Sequence, residues 1–343
     1  MDDLITCENL VKIYSSTASR YHKGIEVVAL QGLDLTVAQG EMIGIVGESG
    51  SGKSSLLNIL GGLDRPSAGK VLVAGSNLLE MSEEELNTYR LQQVGFVWQQ
   101  TTRNLTPYLS ALENVEMPIR INRTAEDQCR QRAVQLLEMT GLGDRLHHLP
   151  GQLSGGEQQR TAIAVALANQ PNLILADEPT GELDTANSIK IYEILRKINR
   201  ELGATIIIVS HDPGISQYVD RVVLIRDGKT STETVRITSG VEAHDLLAYT
   251  SADYEELLML DNSGRVQIPS DMLERLNIGG RVRVEVKAEG ILLKPVEGHA
   301  RSALNGERLS LEQSIYMEEE PLEEALKVSL AQRFINLLQS RKK

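Results

Sequence analysis

The chain contains the stretch Gly47-Glu-Ser-Gly-Ser-Gly-Lys53-Ser54, which matches the pattern G-x-x-x-x-G-K-[ST] of a phosphate-binding loop. The apolar run Met42–Val46 before it predicts a buried strand, and Ser55–Leu60 after it predicts a helix. Glycines let backbone N–H groups wrap a phosphate, and the following helix directs its positive end at the same group. The sequence therefore predicts an α/β nucleotide-binding domain.

Two side chains of this loop have defined chemical tasks. Lys53 is expected to span the β- and γ-phosphates of a nucleoside triphosphate, and the Ser54 hydroxyl is expected to ligate Mg²⁺. The bland alternative is a glycine-rich turn that binds nothing. The residues predicted to contact the nucleotide here are Gly47, Ser49, Gly50, Ser51, Gly52, Lys53, Ser54 and Ser55.

A second apolar run, Asn172–Ala176, ends in two carboxylates. Asp177 is placed to hold Mg²⁺, directly or through water, and Glu178 is placed one residue further along to polarise an attacking water. Two acids that merely end a strand are the alternative. Beside a phosphate-binding loop, we predict a metal ligand followed by a catalytic base.

The segment Leu153-Ser-Gly-Gly-Glu157 lies upstream and precedes a helical pattern over Gln158–Ala168. It predicts a second helix N-terminus that can bind an anion. Because one γ-phosphate is not obviously capped by both helices of a single subunit, we expect two subunits arranged head to tail.

Composition excludes several classes of protein. The 343 residues predict two or three domains, and 41% hydrophobic with 24% charged residues is typical of a globular chain rather than a disordered one. The net charge of −12 weighs against non-specific nucleic-acid binding. Two cysteines far apart, Cys7 and Cys129, suggest neither a disulfide framework nor a zinc cluster. We find no apolar run of a membrane span's length and no basic, apolar secretion signal at the N-terminus.

With these motifs in this order, the sequence resembles the ATP-binding cassette (ABC) ATPases, whose signature is Leu-Ser-Gly-Gly. The resemblance covers Leu4 to Gly228. It implies a P-loop cassette with a RecA-like core, an antiparallel β subdomain and a helical subdomain. ATP and Mg²⁺ are the implied cofactors, and ATP hydrolysis is the implied activity.

The resemblance also implies roles for individual residues. Tyr14 stacks on adenine, with Tyr21 a weaker candidate, and Gln99 touches Mg²⁺ and senses a transmembrane partner. Glu178 is the catalytic base, and His211 is the switch histidine at the γ-phosphate. The residues that act across the dimer interface are Ser154, Gly155 and Gly156 on the partner's ATP, together with Asp184.

Three positions depart from the family pattern. Glu157 replaces the usual glutamine, Trp98 replaces a phenylalanine, and Val165 replaces an arginine. None of these changes removes a catalytic group, so we expect an active ATPase.

Three stretches resemble one branch of the family, the lipoprotein-release and macrolide-export (LolD/MacB-like) ATPases, with FtsE-type cell-division ATPases as close neighbours. They are Gly61–Pro66, Val94–Gln99 and Leu112–Pro118. The branch implies a homodimer, peripheral on the cytoplasmic face of the inner membrane, that drives a separate permease. Thr101–Pro118 would form the groove for the permease. An ordinary surface loop is the alternative.

The C-terminal third has a different pattern. We predict that the cassette spans 1–229 and that 230–253 is a linker. Residues 254–298 resemble an AbrB-like swapped-hairpin domain with strands, a helix at Ser270–Leu276 and period-two alternation from Val282 to Val286. About 45 residues cannot enclose a core alone, so we predict dimerisation. A flexible segment and an amphipathic C-terminal helix are predicted in 299–343.

Two rival functions remain open at this stage. A soluble ABC ATPase acting on DNA or ribosomes is one, and an ATP-responsive DNA-binding regulator is the other, with Arg265, Arg281 and Arg283 as its candidate contacts. Residues 254–298 carry a net charge of −2, whereas DNA binding requires clustered basic residues. We therefore expect no nucleic-acid partner.

Overall fold

A computed structural model describes residues 3–15, 26–236, 254–260, 264–276, 278, 282–287 and 290–295. The chain divides into two compact units. The first comprises Met1–Tyr249 with Asp253–Arg265, and the second comprises Thr250–Ala252 with Val266–Lys343. In the described part of the chain, no helix is both long and apolar enough to cross a membrane.

The first unit combines two sheets with helices. Its described strands are β1 (Asp3–Ser15), β2 (Glu26–Ala38), β3 (Met42–Val46), β4 (Ala68–Val73), β5 (Ser76–Asn77), β6 (Val94–Trp98), β7 (Leu173–Asp177), β8 (Thr205–Ser210), β9 (Arg221–Arg226), β10 (Lys229–Arg236) and β11 (Tyr254–Leu258). Its described helices are α1 (Lys53–Leu60), α2 (Glu83–Gln92), α3 (Ala111–Ile121), α4 (Glu126–Met139), α5 (Gly155–Ala166) and α6 (Thr185–Leu202).

The central sheet has the strand order β11-β10-β9-β3-β8-β7-β6 among the described residues. The strands from β9 to β6 in this order are parallel, which places their carboxyl ends, and the loops that follow β3, β6, β7 and β8, at one edge. A smaller antiparallel sheet has the described order β2-β1-β4-β5. The predicted RecA-like core and antiparallel β subdomain are therefore confirmed.

Alternating side chains of the central strands fill a core on each face of the sheet. On β7, Leu173 and Leu175 pack with α1 and the smaller sheet, while Ile174 and Ala176 pack against α3 to α6 on the other face. All four side chains are fully buried. Each buried leucine or isoleucine contributes about 1.5–3 kcal/mol to folding, which explains why these strands appear in the sequence as uninterrupted apolar runs.

Helix ends in this unit follow from local sequence. Three helices begin with a serine cap, at Ser82, Ser110 and Ser154. Each serine side chain accepts from the backbone N–H of the glutamate three residues later, and that glutamate's carboxylate accepts from the backbone N–H of the serine. Such a capping box satisfies two N–H groups that the helix itself leaves unpaired. These three helices therefore begin at residues that the local sequence defines, and one of them is the signature serine Ser154.

The cassette extends beyond the predicted boundary at residue 229. Strand β10 continues from β9 as a hairpin, and Glu233 pairs with Val223 across it. Strand β11 then pairs with β10, from Thr232 opposite Leu258 to Arg236 opposite Tyr254. Residues 229–236 and 254–258 therefore belong to the central sheet. The first segment includes part of the predicted linker, and the second is the start of the predicted C-terminal domain.

The second unit contains the short helix α7 (Ser270–Arg275) and the strands β12 (Val282–Lys287) and β13 (Gly290–Pro295) among its described residues. The predicted period-two strand is present, and the predicted helix at Ser270–Leu276 is present over Ser270–Arg275. The predicted candidates Tyr21 and Arg281, the rest of the linker, and everything predicted in 299–343 lie outside the described residues.

Candidate nucleotide-binding site

The phosphate-binding loop joins the end of β3 to the start of α1. Gly52 has φ 105°, and a Cβ there would lie 2.4 Å from the carbonyl oxygen of Ala29. A Cβ on Gly47 would lie 2.3 Å from the carbonyl oxygen of Ile225. Only glycine avoids these clashes, so neighbouring strands require the same glycines that phosphate binding requires.

Lys53 lies across this loop. Its Nζ donates to the carbonyl oxygens of Gly47 and Glu48, each at 2.8 Å, and the residue is buried. Burial lowers the pKa of Lys53, while the nearby carboxylates of Glu178 and Asp177 act in the opposite direction. The structure therefore brings the ammonium group and the predicted acidic pair into one electrostatic environment.

Gln99 follows β6 and lies beside the segment that carries the acidic pair. Trp98 pairs with Asp177 across the parallel strands, and a Cβ on Gly181 would lie 2.8 Å from Gln99 Nε2. Burial, and then the charge of Glu178, raise the pKa of Asp177, while the charges of Arg103 and Lys53 act in the opposite direction. The predicted metal ligands Ser54, Gln99 and Asp177 offer only oxygen donors suited to Mg²⁺, and their chemistry fits that ion.

Glu178 follows Asp177 in a left-handed conformation, with φ 46°. Its backbone N–H donates to the carbonyl oxygen of Val209, and its carboxylate Oε2 lies 3.1 Å from Nδ1 of His211. A non-glycine residue with positive φ costs of order 1 kcal/mol or more, and such strain recurs at functional sites. The turn thus directs the carboxylate toward the histidine that follows β8.

A cleft of about 280 Å³ opens beside this pair. It is lined by Glu178, Thr180, Gly181, Leu183, Thr185, Ser188, Ser210, His211 and Asp212. The predicted base and the predicted switch histidine therefore line one polar cleft at the carboxyl edge of the sheet. This is where ligands bind in parallel α/β sheets.

The signature segment forms a second group of predicted residues. Ser154 N–H and Oγ both bond to Glu157 Oε2 at 2.8 Å, and Arg145 adds a bond of 3.1 Å to the same carboxylate. The hydrogen bonds from Ser154 and then that from Arg145 lower the pKa of Glu157 to about 2. The departure from glutamine thus leaves an anionic cap that holds the signature serine in place.

The remaining signature residues pack on the segment that follows Glu178. A Cβ on Gly156 would lie 2.9 Å from Asn187 Oδ1, and one on Gly155 would lie 3.6 Å from Leu183. Asp184 caps α6 by accepting from the backbone N–H of Asn187. Residues 178–184 therefore connect the group around the phosphate-binding loop with the signature group.

Several residues at the site were not predicted from the sequence. Arg103 lies 4.3 Å from the ring centroid of Trp98, and its charge opposes the rise in the pKa of Asp177. Lys12 and Asp64 contact Tyr14, the predicted adenine platform at the end of β1. Asp64 lies in Gly61–Pro66, a stretch that indicates only the branch of the family. Lys12 lies two residues before Tyr14 and has no motif signal of its own.

Comparisons with known proteins agree with this geometry. Residues 30–181 match the sequence profile of the family described as ABC transporter. The lipoprotein-releasing system ATP-binding protein LolD 2 of Caulobacter vibrioides is 44% identical over 234 residues, which are 68% of this chain and 99% of that protein. The chain belongs to the ABC transporter family. It is an ATP-binding subunit that hydrolyses ATP in a reaction coupled to transport.

Further similarities support the same placement. The LolD protein of Shewanella sp. strain MR-4 is 46% identical over 214 residues, 62% of this chain and 92% of that protein. Among solved structures, the dimeric ATP-binding cassette MJ0796 bound to ADP and Pi is 40% identical, with a TM-score of 0.60. That similarity covers 67% of this chain and 97% of the MJ0796 chain. The similarity thus extends over nearly the whole length of each of these relatives.

We expect Lys53→Ala to weaken ATP binding by about 10- to 100-fold, since charge-assisted contacts to phosphate are lost. Equilibrium dialysis with radiolabelled ATP measures this change. Lys190→Ala, which removes an exposed lysine on α6, is the matched control and should bind ATP like the parent chain. Unchanged affinity in Lys53→Ala would contradict the assignment of the loop.

Proposed function

We propose that this chain is the ATPase of a LolD/MacB-like transporter, a homodimer bound peripherally to the cytoplasmic face of the inner membrane through a separate permease. The identity of 44–46% to LolD proteins supports the branch. The dimeric MJ0796 cassette supports the head-to-tail pair that two separate anion-binding helix ends require. ATP binding would join the cassettes, and hydrolysis would release them.

In the proposed cycle, Lys53 of one subunit contacts the β- and γ-phosphates, while Ser154 of the other subunit closes on the same γ-phosphate. Ser54, Gln99 and Asp177 would hold Mg²⁺, which when bound supplies positive charge to the phosphates. Glu178 accepts the proton of the attacking water. His211, whose Nδ1 lies 3.1 Å from Glu178 Oε2, orients that carboxylate and is placed beside the γ-phosphate as the switch histidine.

The observation that carries the permease assignment is a surface groove along α3. Its lining residues are Leu109, Glu113, Glu116, Met117, Arg120 and Ile121. Ile121 is 61% exposed, and the Oε1 atom of the buried Glu116 has no hydrogen-bond partner in the described structure. The other oxygen of Glu116, Oε2, is paired with Arg120. An apolar rim beside one unpartnered carboxylate oxygen suits a helix that brings both apolar contacts and a hydrogen-bond donor. The predicted segment Thr101–Pro118 supplies part of this groove.

A pull-down from detergent-solubilised membranes tests this proposal. The parent chain should retain, in stoichiometric amount, a membrane protein with few spans and a large extracytoplasmic domain. Ile121→Glu should lose that protein while keeping its basal ATPase activity, whereas Leu202→Glu, which changes an apolar side chain on α6 that is 44% exposed, should keep both. Recovery of DNA or ribosomes in place of a membrane protein would support one of the rival functions.

We also propose that the second unit dimerises, as its AbrB-like resemblance implies. In the β12–β13 hairpin, Val284 pairs with Leu293 and Val286 pairs with Ile291, so one face is apolar throughout. Val286 and Ile291 are 81% and 71% exposed. A two-stranded hairpin is at most marginally stable alone, and a second copy of the same apolar face would bury both. Dimerising cassettes would bring that second copy close.

Deleting residues 266–343 should convert a nucleotide-free dimer into a mostly monomeric cassette. The cut follows the boundary of the first unit, so it retains β11 and every predicted ATP contact. Light scattering at micromolar concentration measures the mass, and ATP binding by the shortened chain is the folding control. A full-length chain that is monomeric without ATP would contradict the dimerisation proposal.

A further inference from the structure

Tyr14 is held by side chains from two other segments. Its Oη donates to Asp64 Oδ2 at 2.9 Å and lies 3.3 Å from Ser55 Oγ. Asp64 follows α1, the helix of the phosphate-binding loop, and Ser55 lies within it. The tyrosine hydroxyl is therefore tied to the helix that begins with Lys53, although Tyr14 itself is on the smaller sheet.

Lys12 completes this cluster from the strand that carries Tyr14. Its Nζ donates to Asp64 Oδ1 at 2.6 Å and to the carbonyl oxygen of Arg65 at 2.8 Å. The same ammonium group lies 4.7 Å from the centroid of the Tyr14 ring. The Lys12 side chain is only 11% exposed, so the ammonium group is held in this position by its neighbours.

The arrangement makes the two faces of the ring unequal. The ammonium group of Lys12 occupies one face through a cation–π contact. Tyr14 as a whole remains 39% exposed, which leaves ring surface for a flat ligand. A ring that is fixed before binding loses less conformational entropy when a base stacks on it.

We propose that Asp64 and Lys12 are positioning residues that fix the Tyr14 ring as a preformed platform for adenine. This inference rests on the proposed role of Tyr14 in stacking on the base. Asp64 restrains the hydroxyl, and Lys12 supports both Asp64 and one ring face. The other phosphate contacts belong to the loop and α1, and Ser55 is the one predicted nucleotide contact that Tyr14 touches. We therefore expect the cluster to act mainly on recognition of the base.

Two ligands separate these effects, namely ATP and inorganic tripolyphosphate, which has no base. Calorimetry gives the affinity of each for Tyr14→Phe, Asp64→Asn, their double variant and Tyr14→Ala. We expect Tyr14→Phe and Asp64→Asn each to weaken ATP binding by about 3- to 10-fold, the size of one net hydrogen bond at a partly exposed site. The double variant should bind ATP no more weakly than the weaker single variant, because both substitutions act on the same hydrogen bond.

Tripolyphosphate affinity should stay within about twofold for every variant in this set, and Lys12→Met should also weaken ATP more than tripolyphosphate. Glu83→Gln is the matched control, since it removes an exposed carboxylate from the neighbouring Arg65 without contacting Tyr14. It should leave both affinities unchanged.

The results that would contradict the positioning role differ from those that would contradict the stacking role. If Asp64→Asn weakens both ligands equally, or adds fully to Tyr14→Phe, then Asp64 acts on the loop and the positioning role is overturned while the stacking role stands. If Tyr14→Ala binds ATP like the parent chain, then Tyr14 is not the platform and both assignments fall. Tyr14→Phe alters a single hydroxyl, so its result holds even where Asp64→Asn is poorly folded.

Discussion

Replacing Glu178 with glutamine should lower ATP hydrolysis by about 10²-fold or more while ATP binding persists. The amide keeps a carbonyl acceptor but cannot take a proton from the attacking water. It also keeps the size of the side chain in the turn with φ 46° and beside His211. Because the nucleotide is bound but not consumed, we expect the variant to accumulate as an ATP-bound dimer.

Phosphate release and light scattering measure the two halves of this prediction. Glu193→Gln is the control, since Glu193 is an exposed carboxylate on α6, and it should hydrolyse ATP at the parent rate. Hydrolysis by Glu178→Gln near the parent rate would show that another group is the base.

Ser154→Arg should abolish hydrolysis without preventing ATP binding to the same subunit's own phosphate-binding loop. A bulky cation at the start of α5 would block the helix end that we propose faces the partner's γ-phosphate. The substitution also removes the capping box with Glu157, which costs about 0.5–2 kcal/mol of stability. Steady-state ATPase assays, with dialysis for binding, measure the effect.

The chain provides a close control for the stability loss. Ser82 caps α2 with Glu85 in the same reciprocal geometry as Ser154 with Glu157, and it is also exposed. Ser82→Arg should therefore lose similar local stability but retain hydrolysis. Equal loss of activity in both variants would mean that Ser154 matters only as a cap.

Much of the cassette could be predicted because its central strands are buried on both faces. The runs Met42–Val46 and Asn172–Ala176 correspond to β3 and β7, since a strand covered on both sides needs apolar residues throughout. Strand β10 could not be predicted because its residues are mostly polar. Its sequence, Lys-Thr-Ser-Thr-Glu-Thr-Val-Arg, contains one aliphatic residue, and an ion pair between Arg221 and Glu233 joins it to β9.

At the candidate site, too, some residues could be predicted from the sequence and others could not. Motif residues such as Lys53 and Glu178 could be predicted because their chemistry requires fixed local spacing. The contacts of Lys12 with Asp64 could not, because 52 residues separate the two and only the pairing of β1 with β4 brings the intervening chain back. Residues that support a site through tertiary contacts leave no periodic or motif signal in a single sequence.

Mixing Lys53→Ala with Ser154→Arg subunits tests the composite ATP site most directly. A mixed dimer would have one site damaged twice and one site with an intact loop from one subunit and an intact signature from the other. Random pairing places about half of the subunits in mixed dimers, so we predict recovery of about a quarter of the parent ATPase rate from two inactive proteins. No recovery in dimers shown by two affinity tags to be mixed would contradict the head-to-tail pairing of these subunits.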